Sequence, residues 1–417
     1  MSDSSAPLPL EHFFRRECGR LVAALVRSLG PQHLDLAEAA VQDAFLRALR
    51  VWPLRGMPDR PDAWLFRTAQ HVALDELRRM TRFDARREAV AREMERPPPP
   101  EDAHFPGELV DDQLRLVFLC CHPALVPASR VALTLKVAAG FSTAEIARAF
   151  LTTEGTIAQR IVRAKRTLRD ADAPFEIPPP AEVAARLDDV LGVLYLVFSE
   201  GYRPHSGEAG VRGDLMEEAI RLTRLVLQHP AGREPRVEAL LALMLFQSSR
   251  LDARVDGAGT LVPLEEQDRS RWNRERVDQG LLHLARAGRG DQLTEYHLLA
   301  GIAACHATAT GPGSTDWARI VQLYDDLVAR GAGDVVRLNR AVAVSYRDGP
   351  LAALTLVDAL ASSPALADYA LLPAVRADLL RRAGRRGEAA REYREAARLA
   401  ENAPERRYYE RAAERLG

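Results

Sequence analysis

The chain has 417 residues, 47% of them hydrophobic and 6% aromatic, with a formal net charge of -1. That length exceeds what one small core holds and implies two or three domains. The near-neutral balance excludes a surface coated in cations, so any nucleic-acid contact must come from a local patch.

Alanine, leucine and arginine dominate the composition, which favours helices over strands and makes all-α the expected fold class. Lys136 and Lys165 are the only lysines. The remaining cations are arginine, suited to bidentate phosphate and guanine contacts but equally the mark of a GC-rich genome. The start "MSDSSAPLPLEHFF" lacks the basic-then-apolar layout of a signal, and no apolar run is long enough to span a bilayer. A cytoplasmic protein without membrane contact is expected.

Two proline runs, "ERPPPPEDAHFPGE" from Glu95 and "APFEIPPPAE" from Ala173, interrupt the helical pattern. They divide the chain into a first domain at 10–92, a link at 93–108, a second domain at 109–171, a Pro-rich link at 172–181 and a long tail at 182–417.

In the first domain, "LAEAAVQDAFLRALRVW" sets Leu36, Ala40, Val41, Ala44, Phe45, Ala48 and Leu49 at the three-four spacing of a buried stripe. Asp43 and Arg47 lie one turn apart on another face. "RPDAWLFRTAQHVALDELRR" restarts after Pro61, with Trp64, Leu65, Thr68, Val72 and Leu77 on the packed side. Asp75, Arg78 and Arg79 close that helix, where arginines suit the dipole.

In the second domain, "FSTAEIARAFLTTEGTIAQRIVRAKRTL" has the parts of a helix-turn-helix: a support helix, a turn and a second helix able to lie in the major groove. Ser142 and Thr153 are the expected caps, with Thr156 at the third position of the second helix. Ile146, Ala147 and Phe150 face inward on the first. On the second, Ile157, Ile161, Ala164 and Leu168 share one side, leaving Gly155, Gln159, Val162, Arg163 and Arg166 on the other. Arg160, Arg163, Lys165, Arg166 and Arg169 follow a single early carboxylate, Glu154, and concentrate positive charge along the helix that would touch phosphate. A solvated amphipathic helix is the competing reading.

Cys18, Cys120, Cys121 and Cys305 form no C-x-x-C pair, and the adjacent pair before His122 lacks a second ligand pair at zinc spacing. Buried free thiols are expected, and no metal. No nucleophile with a histidine partner and no phosphate-binding glycine loop is present, so neither catalytic residues nor a cofactor are expected.

Taken together, the segments resemble a bacterial RNA polymerase sigma factor of the extracytoplasmic-function class. "DLAEAAVQDAFLRALRVWP" with "PDAWLFRTAQHVALDELRR" is similar to sigma region 2. "RLVFLCCHPALVPASRVALTLKVAAG" with the helix-turn-helix is similar to region 4. The resemblance implies core RNA polymerase and promoter DNA as partners: region 2 grips the polymerase clamp and opens the minus-ten element, and region 4 reads the minus-thirty-five element. It places Asp43, Phe45 and Arg47 at the clamp. It places Trp64, Arg67, His71, Asp75, Arg78 and Arg79 at the melted element, where aromatic and cationic side chains hold unpaired bases. Thr156, Gln159, Arg160, Arg163 and Arg166 are the region 4 candidates. Phe45 and Trp64 fall near apolar stripes and read equally as core. Where the family commonly has Arg-Asn ahead of "xALDxxRR", this chain has Gln70 and His71, which implies a weaker strand contact.

The tail resembles the C-terminal extension of one subgroup of these factors. "VVRLNRAVAVSYRDGPLAALTLVDALA" and "LLPAVRADLLRRAGRRGEAAREYREAARLA" recur at a period of about 34 residues and look like tetratricopeptide repeats over about 316–402. "WARIVQLYDDLVAR" reads as a degenerate preceding repeat. Ala343 and Ala377 sit where packed helices approach closely. Stacked pairs make a concave face that receives a peptide or protein.

The charged stretch "SRLDARVDGAGTLVPLEEQDRSRW" offers Arg250, Arg254, Glu266, Asp268, Arg269 and Trp272. With Glu200 and Tyr202 of "FSEGY", these are expected to form a salt-bridged regulatory interface that pins the tail to the preceding domains. An operator-binding regulator that works beside another sigma subunit, and a repeat scaffold with a vestigial helix-turn-helix, are the rival functions.

Overall fold

A computed structural model describes residues 8–81, 106–150, 152–202, 212–257 and 260–417. Among them there is no named strand; one isolated bridge pairs Val255 with Leu261. No helix among them is long and apolar enough to cross a membrane. Of the expected link at 93–108, residues 93–105 lie outside the described residues.

The chain forms two compact units, 1–197 with 225–232 and 198–224 with 233–417. The first contains α1 (Leu8–Leu29), α2 (Leu34–Arg55), α3 (Pro61–Thr81), α4 (Pro106–Cys120), α5 (Pro127–Leu133), α6 (Thr143–Ala149), α7 (Glu154–Asp170) and most of α8 (Pro180–Tyr202). Helices α2 and α3 pack as a pair, with α1 laid against both and against α4. Helix α5 runs directly into a wide turn with π-type bonding, Thr134–Ala138, and Gly140, at a φ of 73° that disfavours any side chain, redirects the backbone into α6.

The buried stripe of α2 is Leu34, Ala37, Glu38, Ala40, Val41, Ala44, Ala48 and Trp52; it keeps Ala40, Val41, Ala44 and Ala48 of the expected stripe but not Leu36, Phe45 or Leu49. Leu49, expected inside, is 48% exposed. The reason is local: α2 meets both α1 and α3, and the small residues Ala37, Ala40, Ala44 and Ala48 let those backbones come close. On α3, Leu65, Ala69, Ala73 and Leu77 are fully buried, while Trp64, Thr68 and Val72 are only half-buried.

The 172–181 stretch separates α7 from α8, yet the compact unit continues through it. Leu187, Val190, Leu191 and Leu194 of α8 are buried, Arg186 donates to the Phe118 carbonyl at 2.9 Å, and Arg130 pairs with Asp189.

The second unit holds the end of α8 and most of α9 (Gly213–Gln228), then α10 (Pro235–Ser248), α11 (Arg274–Ala287), α12 (Glu295–Thr308), α13 (Trp317–Ala329), α14 (Asp334–Arg347), α15 (Pro350–Leu360), α16 (Leu371–Arg382), α17 (Arg386–Leu399) and α18 (Ala403–Glu414). From α12 onward each helix packs on the next. Ala343 and Ala377 lie buried in two of the successive apolar layers.

Candidate nucleic-acid interface

The helix-turn-helix is built by its caps. Ser142 Oγ accepts from Glu145 N at 3.1 Å while the Glu145 carboxylate accepts from Ser142 N at 2.7 Å, a reciprocal pair that fixes the start of α6. Thr153 Oγ1 accepts from Thr156 N at 3.1 Å and starts α7. Ile146 and Ala147 of α6 and Ile157, Ile161, Ala164 and Leu168 of α7 are buried, while Phe150 is half-buried. This burial turns the opposite face of α7 outward: Gln159, Arg163 and Arg166 are exposed, Arg160 is half-buried, and Val162 is 65% exposed. Thr156 is exposed at the start of the helix, its hydroxyl 2.9 Å from that of Thr153. Among the described residues Arg166 reaches Asp170, at 3.5 Å and with both groups in solvent, a pair too weak to withhold the guanidinium from phosphate.

Lys165 departs from expectation. It is 8% exposed and points away from that face, its ammonium 2.7 Å from Asp35 and 2.6 Å from Glu38 of α2. Lys136 reaches the same Glu38 at 3.3 Å, and Arg169 reaches Asp35 at 2.9 Å. Burial pulls the lysine toward its neutral form, but Glu38 and Asp35 outweigh it and hold Lys165 above its ordinary pKa. The phosphate-facing set therefore loses Lys165, because the helix stands on this side against two carboxylates.

In the first block, the residues expected at melted DNA are split. Arg67, His71, Asp75, Arg78 and Arg79 lie exposed along α3, with Arg78 at 3.7 Å from Asp75 and Arg79 at 3.0 Å from Glu76. Trp64 is half-buried and meets Trp52 edge-on, ring centres 5.6 Å apart. On α2, Asp43 and Arg47 pair at 2.7 Å in solvent, and Phe45 stacks on Phe14 at 4.6 Å. Core packing therefore occupies much of Phe45 and Trp64.

Sequence reasoning missed a second apolar row on the outer side of α2 and just beyond it: Leu46, Leu49, Leu54 and Met57, each about half exposed or more. Exposed apolar side chains this close in sequence make the end of α2 a candidate contact surface. Its signal is present in the residues, since Leu46 and Leu49 break a narrow one-stripe pattern, but a wide stripe absorbs Leu49.

The tail's charged residues are stitched into the C-terminal unit. Arg250 donates to the Tyr202 hydroxyl, Arg254 lies over the Tyr202 ring at 3.8 Å, and Glu200 is buried. Burial raises the Tyr202 pKa, but Arg250 and Arg254 reverse it and hold the phenol below its usual value. Arg269 donates to the carbonyls of His306 and Ala309, both at 2.7 Å, and stacks over the buried Trp272. Asp268 caps the short turn at Ser270 from an exposed position, and Glu266 is exposed at the mouth of a cavity of about 280 Å³ that Tyr393 and Tyr408 also line. The bonds given above join Arg250, Arg254, Asp268 and Arg269 to other residues of the tail.

The free thiols Cys18, Cys120 and Cys121 are buried and Cys305 half-buried. Burial pushes the Cys121 pKa up to about 12, against a weak bond to Thr134, so it is an inert packing group.

Residues 14–83 match Sigma-70 region 2, residues 115–168 match Sigma-70 region 4, and residues 186–288 match a family of unknown function, DUF6596. An uncharacterized protein of Rhizobium meliloti (strain 1021) is 42% identical over 400 residues, covering 93% of each chain. No solved structure matches.

Proposed function

Because the chain belongs to the sigma-70 family, in one family with the Rhizobium meliloti protein and with core RNA polymerase and promoter DNA as the partners its two domains imply, we propose that it is a sigma factor of the extracytoplasmic-function class. It directs initiation at selected promoters without catalysis of its own, in the cytoplasm. Its tail is a fused control or docking module, in which stacked helix pairs of tetratricopeptide type offer a face to a protein or peptide.

The observation that carries this reading is the outward face of α7. Gln159 offers an amide suited to adenine, Val162 an apolar contact suited to a thymine methyl, and Arg163 and Arg166 contacts to phosphate or guanine. In the first block, Arg67, Arg78 and Arg79 hold the unpaired strand, with the half-buried Trp64 at its border. Asp43, Arg47 and the apolar row Leu46, Leu49, Leu54 and Met57 meet polymerase.

Transcription from purified core polymerase tests the reading. Specific RNA chains are expected when this protein is the only specificity subunit supplied. A protein that binds its DNA site but needs another sigma subunit for specific RNA is an operator-binding regulator. A scaffold would keep its activity when Arg163 and Arg166 are replaced by alanine.

A further inference from the structure

We propose that the segment from Leu261 to Glu266 is the resident occupant of a docking face on the helical repeats. The face takes from a partner protein an extended segment of the same chemistry, aliphatic side chains followed by carboxylates. This deepens, and rests on, the reading of the tail as a docking module.

The carrying observation is a division of charge across one seam. Between α10 and α11 the chain leaves the order of packed helices, and the Asn273 amide, donating to the Ser249 carbonyl at 2.7 Å, ties the two ends of this connection together. Its middle lies against α16 and α18, with the cavity of about 280 Å³ between the two sides. From the repeats, Arg381, Tyr393, Tyr408, Arg411 and Arg415 line that cavity, and among the described residues no carboxylate does. From the connection, Asp256, Leu261, Val262 and Glu266 line it, and no cation. Complementary charge selects a partner by sign, and tyrosine with arginine is a pairing that protein interfaces favour.

The resident segment fits this face imperfectly. Asp256 meets Arg411 at 3.5 Å, and the Leu261 amide reaches the Pro404 carbonyl of α18 at 3.5 Å, both at the long limit of a hydrogen bond. Arg381 is held by Asp378 at 2.6 Å, but among the described residues neither Arg415 nor Glu266 is in an ion pair. The cavity has room for far more than one water, so the side chains around it forgo contacts that a bulkier segment would make. The connection is better bonded to itself: the Val262 amide donates to the Arg254 carbonyl at 2.8 Å, and the Gln267 side-chain amide to the Val262 carbonyl at 3.0 Å. It therefore leaves the face as a unit while its ends stay anchored, by Arg254 over Tyr202 and by Arg269 on the carbonyls of His306 and Ala309. A partner segment with a larger apolar side chain fills the cavity, and its carboxylates pair with Arg411 and Arg415.

Fluorescence anisotropy with a labelled peptide of residues 254–267 tests the proposal on the full chain. In an opened variant, residues 261–266 are replaced by a Gly-Ser stretch of equal length, and its urea midpoint beside that of the natural chain shows whether the repeats are folded. The opened variant is expected to bind the peptide about tenfold or more tighter than the natural chain does, and to lose that binding when Arg411→Glu and Arg415→Glu are added. A peptide carrying Asp256→Asn, Glu265→Gln and Glu266→Gln should bind about tenfold or more weakly. The same two arginine changes in the otherwise natural chain give a reading that does not depend on the opened variant folding. Cleavage after Glu266 by a glutamate-specific protease, followed by mass spectrometry, should then be about tenfold or more faster. Unaltered cleavage, or a folded opened variant that takes up no peptide, overturns the proposal. Peptide bound equally by the natural and opened chains, and still bound without Arg411 and Arg415, overturns it too but keeps the docking reading, with the site elsewhere on the tail. The docking reading itself falls if removing the tail after Gly232 leaves promoter output unchanged, a result on which neither cleavage nor peptide binding depends.

Discussion

Along α7, neighbours one residue apart have different fates. Arg163 and Arg166 face solvent, whereas Lys165 between them is taken up by Asp35 and Glu38. Replacing Arg163 or Arg166 with alanine should weaken binding across all promoter sequences and flatten the salt dependence by about 0.9 in log–log slope for each phosphate no longer neutralised. Val162→Ala should leave that slope unchanged and instead relax preference at one base pair, which competition among single-base variants of the site would reveal. In the tail, burial with Arg250 and Arg269 nearby lowers the His306 pKa from 6.5 to about 4, and burial lowers His297 in the same sense. The folded unit therefore binds fewer protons than the unfolded chain between those values. Its stability is complete above pH 6.5 and falls as pH drops toward 4, by up to about 3 kcal/mol for His306. His306→Gln should remove that part of the slope, seen as converging urea midpoints at pH 7.5 and 5.

At the scale of single elements, the caps and the unburied faces carry the argument. The reciprocal bonds of Ser142 and Glu145 satisfy two backbone donors at the start of a helix only seven residues long, too short to persist by propensity alone. Ser142→Ala should cost about 1 kcal/mol, read as a lower denaturant midpoint with an unchanged slope. Helix α2 is asymmetric in another way: its inner side packs alanines and Trp52, while Leu46 and Leu49 remain outside. Leu46→Glu with Leu49→Glu should leave thermal stability within about 0.5 kcal/mol per site, as surface changes do, and abolish capture by immobilised core polymerase. Retained capture would move the polymerase contact elsewhere.

For the molecule as a whole, the boundary between DNA-reading part and tail lies later than the proline run. Most of α8 belongs to the first unit, with Arg186 and Asp189 bonded to the block that carries the helix-turn-helix. Truncation at residue 180 would therefore expose the apolar surface that covers Leu187, Val190, Leu191 and Leu194. At about 1.5–3 kcal/mol per buried aliphatic side chain and about 2–4 °C per kcal/mol, the melting temperature of that unit should fall by roughly 10 °C or more. Truncation after Gly232 should spare most of it. Any change in promoter output with the longer protein then reports control by the tail, and a change seen only with the shorter one reports disrupted packing.

Composition made the all-α class legible and a family resemblance the two sigma-like blocks, while the two caps and the outward set of α7 followed from local spacing, because each depends on neighbours within one or two turns. What the sequence did not disclose was everything set by distant partners. The orientation of Lys165 depends on Glu38, 127 positions away; the exposure of Leu49 depends on which sides of α2 are taken by α1 and α3. Arg250, Arg254 and Arg269 likewise reach Tyr202, Trp272 and two backbone carbonyls, partners that charge density alone does not name. Local spacing fixes which face of a helix is apolar, whereas only the folded chain decides which charges meet, since a buried cation is tolerated solely where its counter-charge has been brought to it.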